Sequence, residues 1–261
     1  MKTKKGVRKS NKFNVRLLAA FGMLMLLIGG VYFLNGKNSN LNCQYSVGHS
    51  YPPEVGFYLT QEELDNWVLG YQGDDPVEHL LWATRILEDS SFPIARETIA
   101  MIERNEDKVT FNIQPFEKSG AFAATRPDGD KITINVNWNT IAGPNKWHSY
   151  YLLMTIVHES VHVEQLMLKG QLVAEAQGIP LADAYQVVYE RLREDKEEWM
   201  CGEMEAFAHE IAFYEQIKSS QMMTGSPEYE KLLAGIKSAN WDWTKTSWAN
   251  ALREYSSEYD R

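Results

Sequence analysis

The segment from Tyr150 to Lys169 constrains the fold most, because it is apolar nearly all round and therefore predicts a buried helix. Near its middle lie His158, Glu159 and His162. Residues four apart in a helix share one face, so the two imidazoles can reach a single metal ion. Polar side chains are costly inside a buried helix unless something pairs them, as a metal would. The sequence therefore predicts a helical metal site, and two packed core histidines are the alternative.

Glu159 lies next to the first histidine and can reach a water molecule at the metal without being a ligand, which suits a general base. A catalytic zinc ion takes three protein ligands, so the third must come from elsewhere in the chain. A helix predicted from Glu197 to Lys218 offers two carboxylates. We expect Glu205, because its helical neighbours are small and let another helix approach closely. The alternative is Glu203, which shares its face with the bulky Phe207.

The motif His158-Glu159-x-x-His162, followed by a helical Glu-Ala-Phe stretch that begins at Glu205, resembles the glutamate-ligand zincins. The resemblance is to the catalytic domains of lethal-factor-type metallopeptidases. It implies zinc held by His158, His162 and Glu205, with Glu159 as the catalytic base. It also implies hydrolysis of peptide bonds in a peptide or protein substrate.

Other residues near these motifs have open roles. The tyrosine that assists the oxyanion in the resembled family has no clear counterpart here, and Tyr189 and Tyr214 are candidates. His209 either orients Glu205, or donates a proton to the leaving group, or is a packed histidine. A di-iron site is disfavoured, because it needs a second Glu-x-x-His pair that the sequence lacks.

Alternating β-branched residues predict strands at Val109–Ile113 and Lys131–Val136, and Ala121–Ala124 is a third candidate. Most of the remaining chain has helical patterns, with breaks expected at Gly170, Gly178-Ile179-Pro180 and Gly225-Ser226-Pro227. The fold class expected is α+β and zincin-like, mainly helical with a small antiparallel sheet of about three strands. In zincins the strand before the metal-binding helix is an edge strand that aligns an extended peptide. The resemblance thus implies that Lys131–Val136 docks the substrate.

The N-terminus has the pattern of an export signal. Residues 1–16 carry seven basic residues and no acid, and residues 17–34 contain no charge. Eighteen uncharged residues are long enough to span a bilayer, so we expect a signal anchor with the rest of the chain outside the cytoplasm. A cleaved signal peptide, giving a secreted protein, is the alternative. Residues 35–55 are predicted to be a linker, and residues 56–261 a single metallopeptidase domain.

Charge and cysteine content narrow the partners. The chain has a net charge of −9, and since the first sixteen residues contribute seven positive charges, the rest carries −16. Such an acidic domain repels phosphate backbones, which excludes nucleic acid as an expected partner. Cys43 and Cys201 are expected to be unpaired, with a disulfide as the alternative, because nothing in the sequence brings them together.

Two classes of function remain open from the sequence. The first is a membrane-anchored zinc metallopeptidase. The second is a membrane-anchored binding or scaffold protein with a non-catalytic metal site, for which the C-terminal Trp241, Trp243 and Trp248 would form an aromatic binding surface. Tryptophans at such spacings also pack onto a core, and we favour that arrangement.

Overall fold

A computed structural model describes residues 43, 47, 49, 71, 73–116, 121–138, 146–219 and 226–259. The predicted basic flank, the signal anchor and most of the linker lie outside the described residues. In the described part of the chain, none of the helices combines the length and the apolar character that crossing a membrane requires.

The described chain is mainly helical and contains one small sheet, which confirms the expected α+β class. The elements in order are α1 Pro76–Asp89, α2 Pro93–Arg104, β1 Val109–Gln114, β2 Ala123–Asp128, β3 Lys131–Asn137, α3 Lys146–Gln177, α4 Leu181–Glu194, α5 Lys196–Ser219, α6 Pro227–Ser238 and α7 Thr246–Tyr259.

The sheet is mixed, so the prediction of a purely antiparallel sheet was wrong in one pairing. The strand order is β1-β3-β2, with β1 parallel to β3 and β2 antiparallel to it. β3 is therefore the central strand, and its main-chain groups are used by both neighbours. This corrects the prediction that Lys131–Val136 is the edge strand for a substrate. β1 and β2 are the edge strands, and β2 lies against both α3 and α4.

Local sequence signals explain where several elements begin and end. Asp75 caps α1, and its side chain accepts hydrogen bonds from the backbone of Val77 and Glu78, as the Asp-Pro pattern predicts. Between β2 and β3 the chain turns through Gly129, which has a positive φ of 64°.

The helix that carries the histidines is longer than predicted, because α3 continues through Gly170. A Cβ at position 170 would lie 2.3 Å from Cδ1 of Tyr185. Glycine at this position therefore allows α4 to pack closely against α3, and it does not end the helix. The end comes at Gly178, which adopts a φ of 64° and donates its N–H to the carbonyl of Ala174.

The core draws buried side chains from the sheet and from all the described helices, and α3 packs against both the sheet and α5. The side chains of Ile132, Ile134 and Val136 in β3 are fully buried. Trp248 of α7 is also fully buried, and its Nε1 donates to the carbonyl oxygen of Met204 in α5 (2.8 Å). Trp243 is 7% exposed. These two tryptophans pack onto the core, as we favoured, and do not form a binding surface.

Cys43 and Cys201 form a disulfide, so the prediction of two unpaired thiols was wrong. The two residues are 158 positions apart, and nothing in their sequence contexts shows that Cys43 lies beside α5. A second contact holds the same segment, because the backbone N–H of Val47 donates to Oε1 of Glu205 (3.0 Å). Cys43 and Val47 are thus both attached to the helix α5.

We expect the double variant Cys43→Ser/Cys201→Ser to unfold at lower urea concentration, with a loss of about 2–4 kcal/mol in the free energy of unfolding. The cross-link closes a long loop and therefore restricts the unfolded chain. Urea titrations of both proteins, with and without reductant, measure the effect. Reductant should shift the wild type only; equal midpoints for all four samples would contradict the stabilising role of the disulfide.

Candidate metal centre

The two histidines of α3 point at one another across one helical turn. Nε2 of His158 lies 3.2 Å from Nε2 of His162. The Nδ1 atoms face away from this point, and each is hydrogen bonded: His158 to Oε2 of Glu210 (2.9 Å) and His162 to Oε1 of Gln165 (3.0 Å). In the tautomer that has its proton on Nδ1, each histidine donates to its acceptor and directs the lone pair of Nε2 toward the other ring. That is the arrangement in which a pair of imidazoles binds a metal.

The carboxylate that lies beside the two Nε2 atoms belongs to Glu203 of α5. Its two oxygens lie 3.5 Å from Nε2 of His158 and 3.5 Å from Nε2 of His162. Glu205, which we predicted as the third ligand, is fully buried elsewhere and accepts hydrogen bonds from the backbone of Val47 and from Gln165. The geometry therefore favours Glu203 as the third ligand over Glu205.

The bulky side chain that made Glu203 look unsuitable does not obstruct it. The ring of Phe207 packs edge-on against His158, with centroids 4.6 Å apart. The face of α5 with Glu203, Phe207 and Glu210 is therefore the one that meets the histidines. The narrow face around Gly202 meets α3 at Gln165, whose Nε2 donates to the carbonyl of Gly202 (3.2 Å).

The three side chains fit a zinc ion. Two atoms that bind one tetrahedral zinc at the usual lengths are about 3.3 Å apart. The distances among His158, His162 and Glu203 are 3.2 and 3.5 Å, and these three residues form a group whose ligand atoms lie within 4.8 Å of one another. The carboxylate of Glu203 is 20% exposed, so the group opens to solvent on one side.

The charges of the group also favour a cation. Burial alone would lower the pKa of His158, but Glu203 and Glu210 raise it well above the ordinary value. Burial also lowers the pKa of His162, but Glu203 raises it by more, so that the pKa lies above the ordinary value of histidine. Burial alone would raise the pKa of Glu203, but His162 and His158 hold it far below the usual range. The carboxylates thus create a negative potential at the Nε2 atoms.

An outer layer of hydrogen bonds fixes both rings. Glu210, which holds His158, accepts a further hydrogen bond from the hydroxyl of Tyr229. Gln165, which holds His162, donates through Nε2 to Oε2 of Glu205 (3.0 Å). Such outer partners orient ligands and fix the tautomer. Glu205 therefore contacts Gln165 and lies outside the group that His158, His162 and Glu203 form.

Glu159 lies between the histidine helix and the edge strand. Its Oε2 accepts a hydrogen bond from Oγ1 of Thr125 in β2 (2.6 Å), and the residue is 7% exposed. Its negative charge also contributes to the raised pKa of His162, so the carboxylate lies within electrostatic reach of that ligand. This is a position from which a base can act without being a ligand.

The remaining predicted residues lie in other surroundings. The hydroxyl of Tyr214 donates to Glu230 (2.7 Å) and accepts from the backbone of Ser226 (3.1 Å). Tyr189 packs under the guanidinium of Arg193, 5.9 Å from its ring centroid. His209 is 2% exposed, and its ring lies against that of His49 with centroids 4.1 Å apart.

Sequence reasoning missed the supporting residues Glu210, Tyr229, Gln165 and Thr125. One signal was present for Glu210, since it follows Glu203 by seven positions and therefore shares its helix face. Gln165 likewise follows His162 by three positions on the same helix. Tyr229 and Thr125 come from other elements, and only the tertiary structure brings them to the site.

Comparison with models of protein families, with curated proteins and with solved structures finds no match. The chemistry assigned to this site therefore rests on its own residues.

Proposed function

We propose that the protein is a zinc-dependent metallopeptidase that hydrolyses peptide bonds, with His158, His162 and Glu203 as the zinc ligands. The observation that carries the proposal is the convergence of two Nε2 atoms and one carboxylate, whose separations of 3.2 and 3.5 Å suit a single ion. A catalytic zinc site typically has three protein ligands and an open position, which matches this group.

A bound zinc ion would supply a water ligand of lowered pKa and a Lewis acid for the substrate carbonyl. The protein's own residues do the rest. Glu159 accepts the proton of the attacking water at its carboxylate and returns it to the leaving amine. Thr125 donates to Oε2 of Glu159 and so holds that carboxylate in one orientation. Glu210 and Gln165 keep the two imidazoles in the tautomer that leaves Nε2 available.

The strand β2 is the element best suited to hold an extended peptide. It lies at an edge of the sheet, and it carries Thr125, which contacts Glu159. An added strand that pairs with a sheet edge is held by main-chain hydrogen bonds, so peptides of many sequences can bind in one orientation. Pairing along β2 would place the peptide beside Glu159.

We propose that this domain works outside the cytoplasm. The disulfide between Cys43 and Cys201 supports this, because disulfides persist in oxidising compartments. The basic residues 1–16 and the uncharged residues 17–34 support a membrane anchor.

Metal removal tests the proposed activity. Treatment of the full-length chain with a chelator should abolish hydrolysis of a mixture of fluorescence-quenched peptides, and added zinc should restore it. Metal analysis of the untreated protein for zinc and iron identifies the ion that it holds.

The control for this test is the Glu203→Gln variant, which should remain inactive after zinc is added. Two results would contradict the proposal: peptide hydrolysis that survives complete metal removal, and a folded wild type that binds no zinc. The second result would also exclude a binding protein with a non-catalytic zinc site.

A further inference from the structure

A second cluster of metal-binding side chains lies apart from the proposed zinc site. His49, Glu97 and His209 come from the segment before α1, from α2 and from α5, and their ligand atoms lie within 4.8 Å of one another. Nδ1 of His49 lies 3.3 Å from Oε1 of Glu97. The rings of His49 and His209 are 4.1 Å apart between centroids. Two imidazoles and a carboxylate are a donor set that suits zinc and related divalent metals.

In the second cluster, as in the first, a further carboxylate contacts the ring nitrogen of a histidine that does not face the other ligand atoms. The other ring nitrogen of His49, Nε2, lies 3.1 Å from Oε2 of Glu164 in α3. In the first site Glu210 contacts one nitrogen of His158 while the other faces the convergence point. A carboxylate behind a histidine in this way orients the ring and raises its basicity toward a metal.

Burial and charge at the second cluster suit a cation. Burial alone would lower the pKa of His49, but hydrogen bonds with Glu164 and Glu97 raise it to about 9. The two carboxylates therefore create a negative potential around this ring. Burial lowers the pKa of His209 well below its usual value, with the positive charges of His49 and His158 adding to the effect.

The two clusters are separate sites. Glu203 and His209 are six positions apart on α5, which places them about 9 Å apart along the helix axis. No residue belongs to both groups of ligands. A single ion therefore cannot use both clusters.

We propose that His49, Glu97 and His209 bind a second zinc ion, which fastens the chain at His49 to the helices α2 and α5. The chain is already joined to α5 at Cys43, by the disulfide with Cys201, and at Val47, by the contact with Glu205. The metal adds a third attachment and connects it to α2. Because its role is structural, this ion does not depend on the proposed peptidase activity.

Metal stoichiometry of the full-length chain tests the proposal, with zinc itself as the probe. The wild type, saturated with zinc and freed of excess metal, should retain about two ions per chain. The variants Glu97→Gln and His209→Gln should each lose one of them. Glu103→Gln, a change to an exposed carboxylate on the same helix as Glu97, is the matched control and should retain both.

The Glu203→Gln variant separates the two sites, because it should lose the ion of the first site and keep the ion of the second. If Glu97→Gln and His209→Gln both fold and retain as much zinc as the wild type, the cluster is an ion-pair network only and the proposal is overturned. If Glu203→Gln alone leaves the zinc content unchanged, the proposed peptidase site fails while the second site stands.

Discussion

Glutamine in place of Glu203 should empty the proposed catalytic site of zinc, whereas glutamine in place of Glu205 should leave the ion bound. Glu203 presents both carboxylate oxygens to the histidine pair at 3.5 Å, and a neutral amide is a far weaker ligand. Loss of an orienting partner typically costs ~10–100-fold in metal affinity, and loss of a direct ligand should exceed that range. Competition with a fluorescent zinc chelator measures the affinity of each variant.

The control for Glu203→Gln is Glu198→Gln on the same helix, where the carboxylate pairs with Lys169 (3.0 Å). Its zinc affinity should equal that of the wild type. Glu205→Gln should reduce the affinity only modestly, because Glu205 acts through its hydrogen bond from Gln165. Zinc loss in Glu205→Gln together with full retention in Glu203→Gln would restore the assignment that the sequence suggested.

Glu159→Gln should abolish peptide hydrolysis without releasing zinc. The amide cannot accept a proton from water, and removal of a general base typically lowers the rate ~10²–10⁴-fold. The fold should persist, since the amide oxygen of glutamine can accept the same hydrogen bond from Thr125 that the carboxylate accepts (2.6 Å). The measurements are kcat/KM on fluorescence-quenched peptides and the zinc content of the same samples.

The matched control for Glu159→Gln is Glu175→Gln, an exposed position on the same helix, which should have wild-type activity. Full activity in Glu159→Gln would exclude Glu159 as the base. Loss of both zinc and activity would instead give Glu159 a role in holding the ion. These two outcomes are distinguished because both quantities are measured on one preparation.

The sequence alone was sufficient for the part of the site that lies within one helix. Helical periodicity places His158 and His162 on one face, and Glu159 beside the first of them, whatever the helix packs against. Which carboxylate lies beside the histidines depends on which face of α5 turns toward α3, and that is decided by tertiary packing. The bulk of Phe207 suggested that the face of α5 with Glu203 could not approach α3. In the structure the ring of Phe207 instead packs edge-on against His158.

The order of the strands in the sheet is likewise decided by tertiary packing and not by local sequence. β1 and β3 could be predicted from their β-branched, alternating residues, whereas β2 shares only its first two residues with the candidate Ala121–Ala124. The spatial order β1-β3-β2 also differs from the order in the chain. Because β3 lies between β1 and β2, the strand just before α3 is central, and β1 and β2 are the two edges. Similarly, the pairing of Cys43 with Cys201 depends on long-range contacts that neither neighbourhood encodes.

The disulfide also constrains the order in which the chain is synthesised and oxidised. A chain made from its N-terminus presents Cys43 first, and its partner follows 158 residues later. Until then the first thiol is open to reaction with any other thiol nearby. The disulfide can therefore form only after synthesis has reached the start of α5, which carries Cys201. By then the sheet and the helices α1 to α4 have all been made, so this cross-link is absent while those elements begin to fold.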